Sequence, residues 1–186
     1  MALRSFYLFI GNIKMINSLK EVFPHLDEKK CLQIITKESF EIFDHEEDKK
    51  CYIVEENGQF KVNNLQQKEI SFIAVDECLF TSSDGSRADC IIFDDEVFCF
   101  IELKHCKNKN ISRNRQKAKH QLMATIEFFK EKIDIEQKLE AYICVTCSTN
   151  EEKITMTPRA KNEEAQLEFE EFLDTQLFYK CDKKFN

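Results

Sequence analysis

The stretch Ser86-Arg-Ala-Asp-Cys-Ile-Ile-Phe-Asp-Asp-Glu-Val-Phe-Cys-Phe-Ile-Glu-Leu-Lys104 constrains the fold more than any other part of the chain. Two apolar runs, Cys90–Phe93 and Val97–Ile101, flank the acids Asp94, Asp95 and Glu96. Short apolar runs on either side of a turn read as two adjacent β-strands. Strand side chains alternate faces, so Glu102 and Lys104 point one way and Leu103 the other. If the strands pair, Asp89 joins them, and two carboxylates and one ammonium converge. Such a group can hold a divalent cation with a basic side chain beside it, the equipment for hydrolysing a phosphodiester.

The triplet acid-x-Lys is by itself common in a chain that is 33% charged: it begins at Asp27, Glu28, Glu47, Asp48, Glu102, Glu136, Glu151 and Asp182. Seven of these lie in polar stretches and read as solvated surface. Glu102 alone closes an apolar run, where a carboxylate is costly unless a metal or a partner compensates it. Asp89 likewise opens one.

With 186 residues the chain is long enough for one domain with a sizeable core. Three Gly and two Pro argue against a turn-rich sandwich or barrel and favour long helices with a modest sheet. No apolar run is long enough to cross a bilayer, so no membrane association is expected. The apolar start, Met1 to Ile10, reads as a buried first element rather than a signal peptide. Nine Cys in no framework spacing read as small hydrophobes of a reducing, cytoplasmic protein. Cys144-Val-Thr-Cys147 is formally a CxxC but has no second pair, so no four-cysteine cluster is expected.

A net charge of −7 argues against nucleic-acid binding over the whole surface. Its distribution is uneven. From Leu103 to His120 no acid occurs, while Lys104, Lys107, Lys109, Arg113, Arg115, Lys117 and Lys119 do. This block begins at the proposed site, and Lys107, Lys109, Arg113, Arg115 and Lys117 are candidate contacts for flanking phosphates.

Along the chain, residues 12–30 read as helical with a break at Phe23-Pro24, and 31–43 fit strand or helix equally. Lys50–Val54 and Gln59–Val62 around Glu-Glu-Asn-Gly predict a hairpin. Glu69–Phe80 reads as a strand. Residues 112–132 predict a helix with Ala118, Leu122, Thr125 or Ile126, and Phe129 inward. Leu139–Thr146 reads as a strand and 162–178 as a final amphipathic helix.

Three strands, a helix and a strand, with Asp89, Glu102 and Lys104 where they stand, resemble the PD-(D/E)xK nuclease superfamily. The resemblance implies an α/β, restriction-endonuclease-like core, a mixed central β-sheet flanked by helices. It spans about residues 69–147 of a single domain over 1–186, with 1–68 and 148–186 as family-specific additions. Many members carry a supporting glutamine on the following helix; Gln121 matches best and Gln116 less well. Ala88 stands where the family name has Pro. An additional upstream acid is common, with Glu38, Glu41 and Glu77 as candidates.

Residue logic and resemblance imply the same chemistry. Asp89 and Glu102, with the Leu103 backbone carbonyl, would hold Mg²⁺ or Mn²⁺, since all-oxygen ligands suit those ions rather than Zn²⁺. Lys104 would orient the attacking water or stabilise developing charge. Gln121 would position the lysine or a water. The expected function is a metal-dependent nuclease acting on DNA, with a homodimer or protein partner compatible with the acidic remainder of the surface. The alternatives are a catalytically silent interaction or regulatory module on the same fold, and an RNase using the same site.

Overall fold

The computed structural model describes residues 2–27, 31–45, 47–80, 85, 87–106, 110–149, 152–153 and 161–186. Lys107 and Lys109 of the basic block lie outside them. Apolar residues at helical spacing form α1 (Ala2–Val22) and α2 (Ile111–Lys132), and a third helix, α3, covers Lys161–Leu173. The strands are β1 (Leu32–Ile35), β2 (Ser39–His45), β3 (Lys50–Val54), β4 (Phe60–Asn63), β5 (Ile70–Ala74), β6 (Cys90–Phe93), β7 (Val97–Cys106), β8 (Lys138–Thr149), β9 (Glu152–Lys153), β10 (Thr175–Phe178) and β11 (Asp182–Lys184). The chain is thus mixed α/β. None of its described helices is long and apolar enough to cross a membrane.

One mixed sheet runs β1-β5-β6-β7-β8-β10, with β9 paired to β8. Strands β5, β6 and β7 form an antiparallel meander. Helix α2 then crosses over and β8 returns parallel to β7, as a connection of that length permits. The second mixed sheet runs β11-β4-β2-β3.

Alternation along β7 fixes the layers. Phe98 and Phe100 meet Phe129 of α2, with ring centroids 6.2 and 5.5 Å apart. The opposite face meets the second sheet, where the Phe60 and Tyr142 rings pack edge-on at 5.3 Å. One continuous apolar cluster joins both interfaces. Ala118, Leu122, Thr125, Ile126 and Phe129 are all buried, so α2 turns its expected face inward.

Three sequence readings are corrected. Lys50–Val54 and the strand after it are not a hairpin: β3 and β4 lie on opposite edges of β2. The connection crosses β2 at Gly58, where a Cβ would lie 2.5 Å from that of Glu41, so only glycine permits the passage. The last helix stops at Leu173, because Asp174 adopts φ 48° and Thr175–Phe178 pairs in parallel with β8. Two cysteine pairs are disulfides, Cys31–Cys78 and Cys144–Cys181, joining positions 47 and 37 residues apart. Cys144 therefore bonds outside its CxxC. Disulfides are rare where thiols are kept reduced, so the cysteines no longer argue for a cytoplasmic location.

Candidate active site

The site is built where β7 outruns β6. The two strands pair from Phe98 to Ile101, with Cys90 opposite Ile101. The register stops there, and Asp89, just before β6, lies beside the continuing β7. The Asp89 N–H donates to the Ile101 carbonyl at 3.1 Å, and Asp89 Oδ2 accepts the Leu103 N–H at 2.6 Å. The remainder of β7 therefore has a carboxylate, not a strand, along that edge. A strand residue's N–H and C=O point to the same side, so the Leu103 carbonyl also faces Asp89.

Lys104 Nζ is ion-paired with Glu102 Oε1. Glu102 is wholly buried, and its Oε2 has no hydrogen-bond partner among the described residues. Asp89, Glu102 and Lys104 are thus brought together as the sequence suggests.

The electrostatics follow from burial. Burial pushes the Asp89 carboxyl up to about 7; Asp44 and Asp76 reinforce the shift, while Lys104 and the Leu103 N–H oppose it. Burial and then Asp89 hold Glu102 well above the usual carboxylate range, against the pull of Lys104. Burial works against the Lys104 ammonium, yet Glu102, Asp89 and Asp44 outweigh it and raise its pKa. Two carboxyls compete here for one cation.

Helix α2 supports the site from behind. Gln121 is buried and donates Nε2–H to the Arg87 carbonyl at 2.7 Å. Its Oε1 is buried with no hydrogen-bond partner among the described residues. Thr125 Oγ1 accepts the Ala88 N–H at 2.8 Å and donates to the Gln121 carbonyl at 2.7 Å. The two residues before Asp89 are thereby fixed to one helix face. Gln116 is exposed and lies against His120 instead.

Two of the three candidate upstream acids are engaged elsewhere. Glu38 accepts from Gln67 at 3.0 Å on the surface, and Glu41 accepts the Gly58 N–H at 2.7 Å. Glu77 follows the acid that does share the site's field, Asp76. The Asp76 carboxyl is raised by burial and by Glu77, and lowered by Lys104, Lys49 and Lys117. Asp44 of β2 acts on the site from the second sheet. Asp76 had a signal in the sequence, since it closes the apolar run Ile70–Val75 as Asp89 opens its own. Asp44 had none, because nothing local joins β2 to β6 and β7.

Among the described residues no three His, Cys, Asp or Glu side chains lie close enough to cage a metal by themselves. Of the basic block, Arg113 and Lys117 are exposed on the first turns of α2. Arg115 instead stacks over Tyr179 at 5.4 Å, and Lys119 is ion-paired with Glu168 of α3. No protein-family model matches the chain, and neither a curated protein nor a solved structure matches it.

Proposed function

We propose that this chain is a divalent-metal-dependent nuclease of the PD-(D/E)xK type, with a restriction-endonuclease-like core, hydrolysing phosphodiester bonds in DNA. One observation carries the reading: Asp89 is bonded to β7 at Leu103 and acts electrostatically on the Glu102–Lys104 pair, with Glu102 Oε2 buried and unpartnered among the described residues. A buried carboxylate oxygen without a partner is costly, and a cation is the partner that compensates it. The antiparallel meander, the α2 crossover and parallel β8 also suit the resemblance.

The donor set fits a hard cation. Asp89 Oδ1, the Glu102 carboxylate and the Leu103 carbonyl would hold Mg²⁺ or Mn²⁺. Both ions accept oxygen ligands and retain waters, so a site with few protein ligands suffices. When bound, the ion polarises the phosphate and lowers the pKa of a coordinated water. Asp89 is kept in place by the Leu103 N–H and, through Ala88 and Arg87, by α2. Lys104 carries a proton at Nζ, which becomes free to face the developing phosphorane charge when Glu102 turns to a metal. The exposed Arg113 and Lys117 are available for phosphates further along the strand.

Supercoiled plasmid, linear duplex and single-stranded RNA, each incubated with Mg²⁺ or EDTA, test the reading. The expected result is metal-dependent cleavage of DNA by the wild type and none by Glu102→Gln. Cleavage of RNA alone would make the enzyme an RNase. Absence of Mg²⁺ and Mn²⁺ binding in calorimetry would overturn the nuclease reading in favour of a silent interaction module.

A further inference from the structure

We propose that Arg87 is an anion site that receives a phosphate of the nucleic-acid strand next to the reacting one; this rests on the nuclease reading above. Arg87 lies two residues before Asp89, a separation that covalent geometry limits to about 7 Å between their Cα atoms. Its backbone is held to α2 by the Gln121 hydrogen bond of 2.7 Å.

The side chain is held as firmly. The guanidinium carbon lies 4.9 Å from the centre of the Phe80 ring and 5.4 Å from that of Phe128. Those rings pack edge to face, 5.0 Å apart. Arg87 is half-buried, and its Nε is buried without a hydrogen-bond partner. No carboxylate among the described residues lies within ion-pair distance of it. Lys68, Lys104, Lys119 and Lys183, also part-buried, each face an acid.

A guanidinium cannot shed its charge when water is withdrawn. Aromatic faces return less than a hydrogen-bonded counter-ion gives. The unmet requirement is therefore an anion. The rings fix the plane of the fork, and a planar fork presents paired N–H groups that match phosphate oxygens. With Asp89 so near along the chain, the anion at hand is a phosphate flanking the one under attack. In a protein of net charge −7, an arginine beside the site with no acid partner among the described residues is a local exception to the field that repels a polyanion.

The test uses the full chain carrying Glu102→Gln to block cleavage, with fluorescein-labelled duplex DNA followed by anisotropy at several NaCl concentrations. Arg87→Met keeps an apolar stem on both rings and removes the charge. It should lower the slope of log K against log salt by about 0.9, the loss of one phosphate contact. Arg87→Lys should keep the slope and weaken affinity several-fold, because the fork is lost but the charge is not. Calorimetric Mg²⁺ affinity, read in both Arg87 variants with Glu102 intact, should be unchanged. A wild-type slope in Arg87→Met would overturn the proposal, as would wild-type affinity in Arg87→Lys should the methionine variant not fold. DNA binding with the expected slope change but no cleavage by the parent protein would sink the nuclease reading and leave the anion site. No DNA binding at all would sink both.

Discussion

Asp89 is a carboxyl that folding makes harder to ionise. It titrates near its ordinary value, 3.8, in the unfolded chain and at about 7 in the folded one, chiefly through burial. Between those values the folded protein holds the extra proton, so stability falls as pH rises through that window and is flat above it. Asp89→Asn keeps an oxygen for the Leu103 N–H but removes the charge. In EDTA the variant should gain on the wild type from pH 4 to pH 7, by up to about 4 kcal/mol. Urea midpoints at pH 5 and pH 8 read this directly, and an equal gap at both would show that Asp89 ionises normally. Lys104 is the counterpart. Because its ammonium is paired with Glu102, Lys104→Ala should leave Mg²⁺ affinity equal or tighter and reduce turnover roughly 100-fold, the scale of losing one charge-stabilising donor. Calorimetry beside single-turnover cleavage separates the two, and parallel losses would make Lys104 part of the cation site.

At the level of elements, α2 decides how well Asp89 is aimed. Thr125 Oγ1 links the Gln121 carbonyl to the Ala88 N–H, and both bonds are buried. Thr125→Val matches the shape and leaves the Ala88 N–H unsatisfied, at a cost of about 1–3 kcal/mol. It should also weaken Mg²⁺ binding, and Thr125→Ser should restore it. Loss of stability with unchanged metal affinity would confine Thr125 to a structural role. Much of this was legible in the sequence. Two apolar runs around three acids specify β6 and β7, and helical spacing specifies α2. Elsewhere local pattern failed for identifiable reasons. Glu-Glu-Asn-Gly has hairpin chemistry, but β2 takes both strands as partners and Gly58 serves the crossing. Thr175–Phe178 continues the apolar spacing of α3, and only parallel pairing with β8 makes it a strand. Asp44, which raises Asp89 and Glu102 from the second sheet, depends on a contact between elements that no local window contains.

Across the whole molecule, the site depends on how the two sheets are held together. The second sheet brings Asp44 to the strands that carry Asp89 and Glu102, and its edge strand β11 is tied to β8 in two ways. Cys144 is bonded to Cys181, just before β11. Buried Glu140 of β8 accepts from Lys183 of β11 at 2.6 Å and from Tyr142 Oη at 2.6 Å. A cross-link spanning 37 residues restricts the unfolded chain, and loop-closure entropy puts its contribution at about 4 kcal/mol. Cys144→Ala with Cys181→Ser should therefore lower stability by roughly 2–4 kcal/mol. The Glu140–Lys183 pair remains in the variant, so the sheets should stay docked and Mg²⁺ affinity should change little. Dithiothreitol should cost the wild type this loss together with that of Cys31–Cys78, and should cost the double variant the Cys31–Cys78 share alone. Urea unfolding of both proteins with and without reductant makes the comparison, with calorimetry for the metal. Equal stability of wild type and double variant without reductant would mean that this pair is not joined in solution, leaving Glu140 and Lys183 to hold β11 to β8.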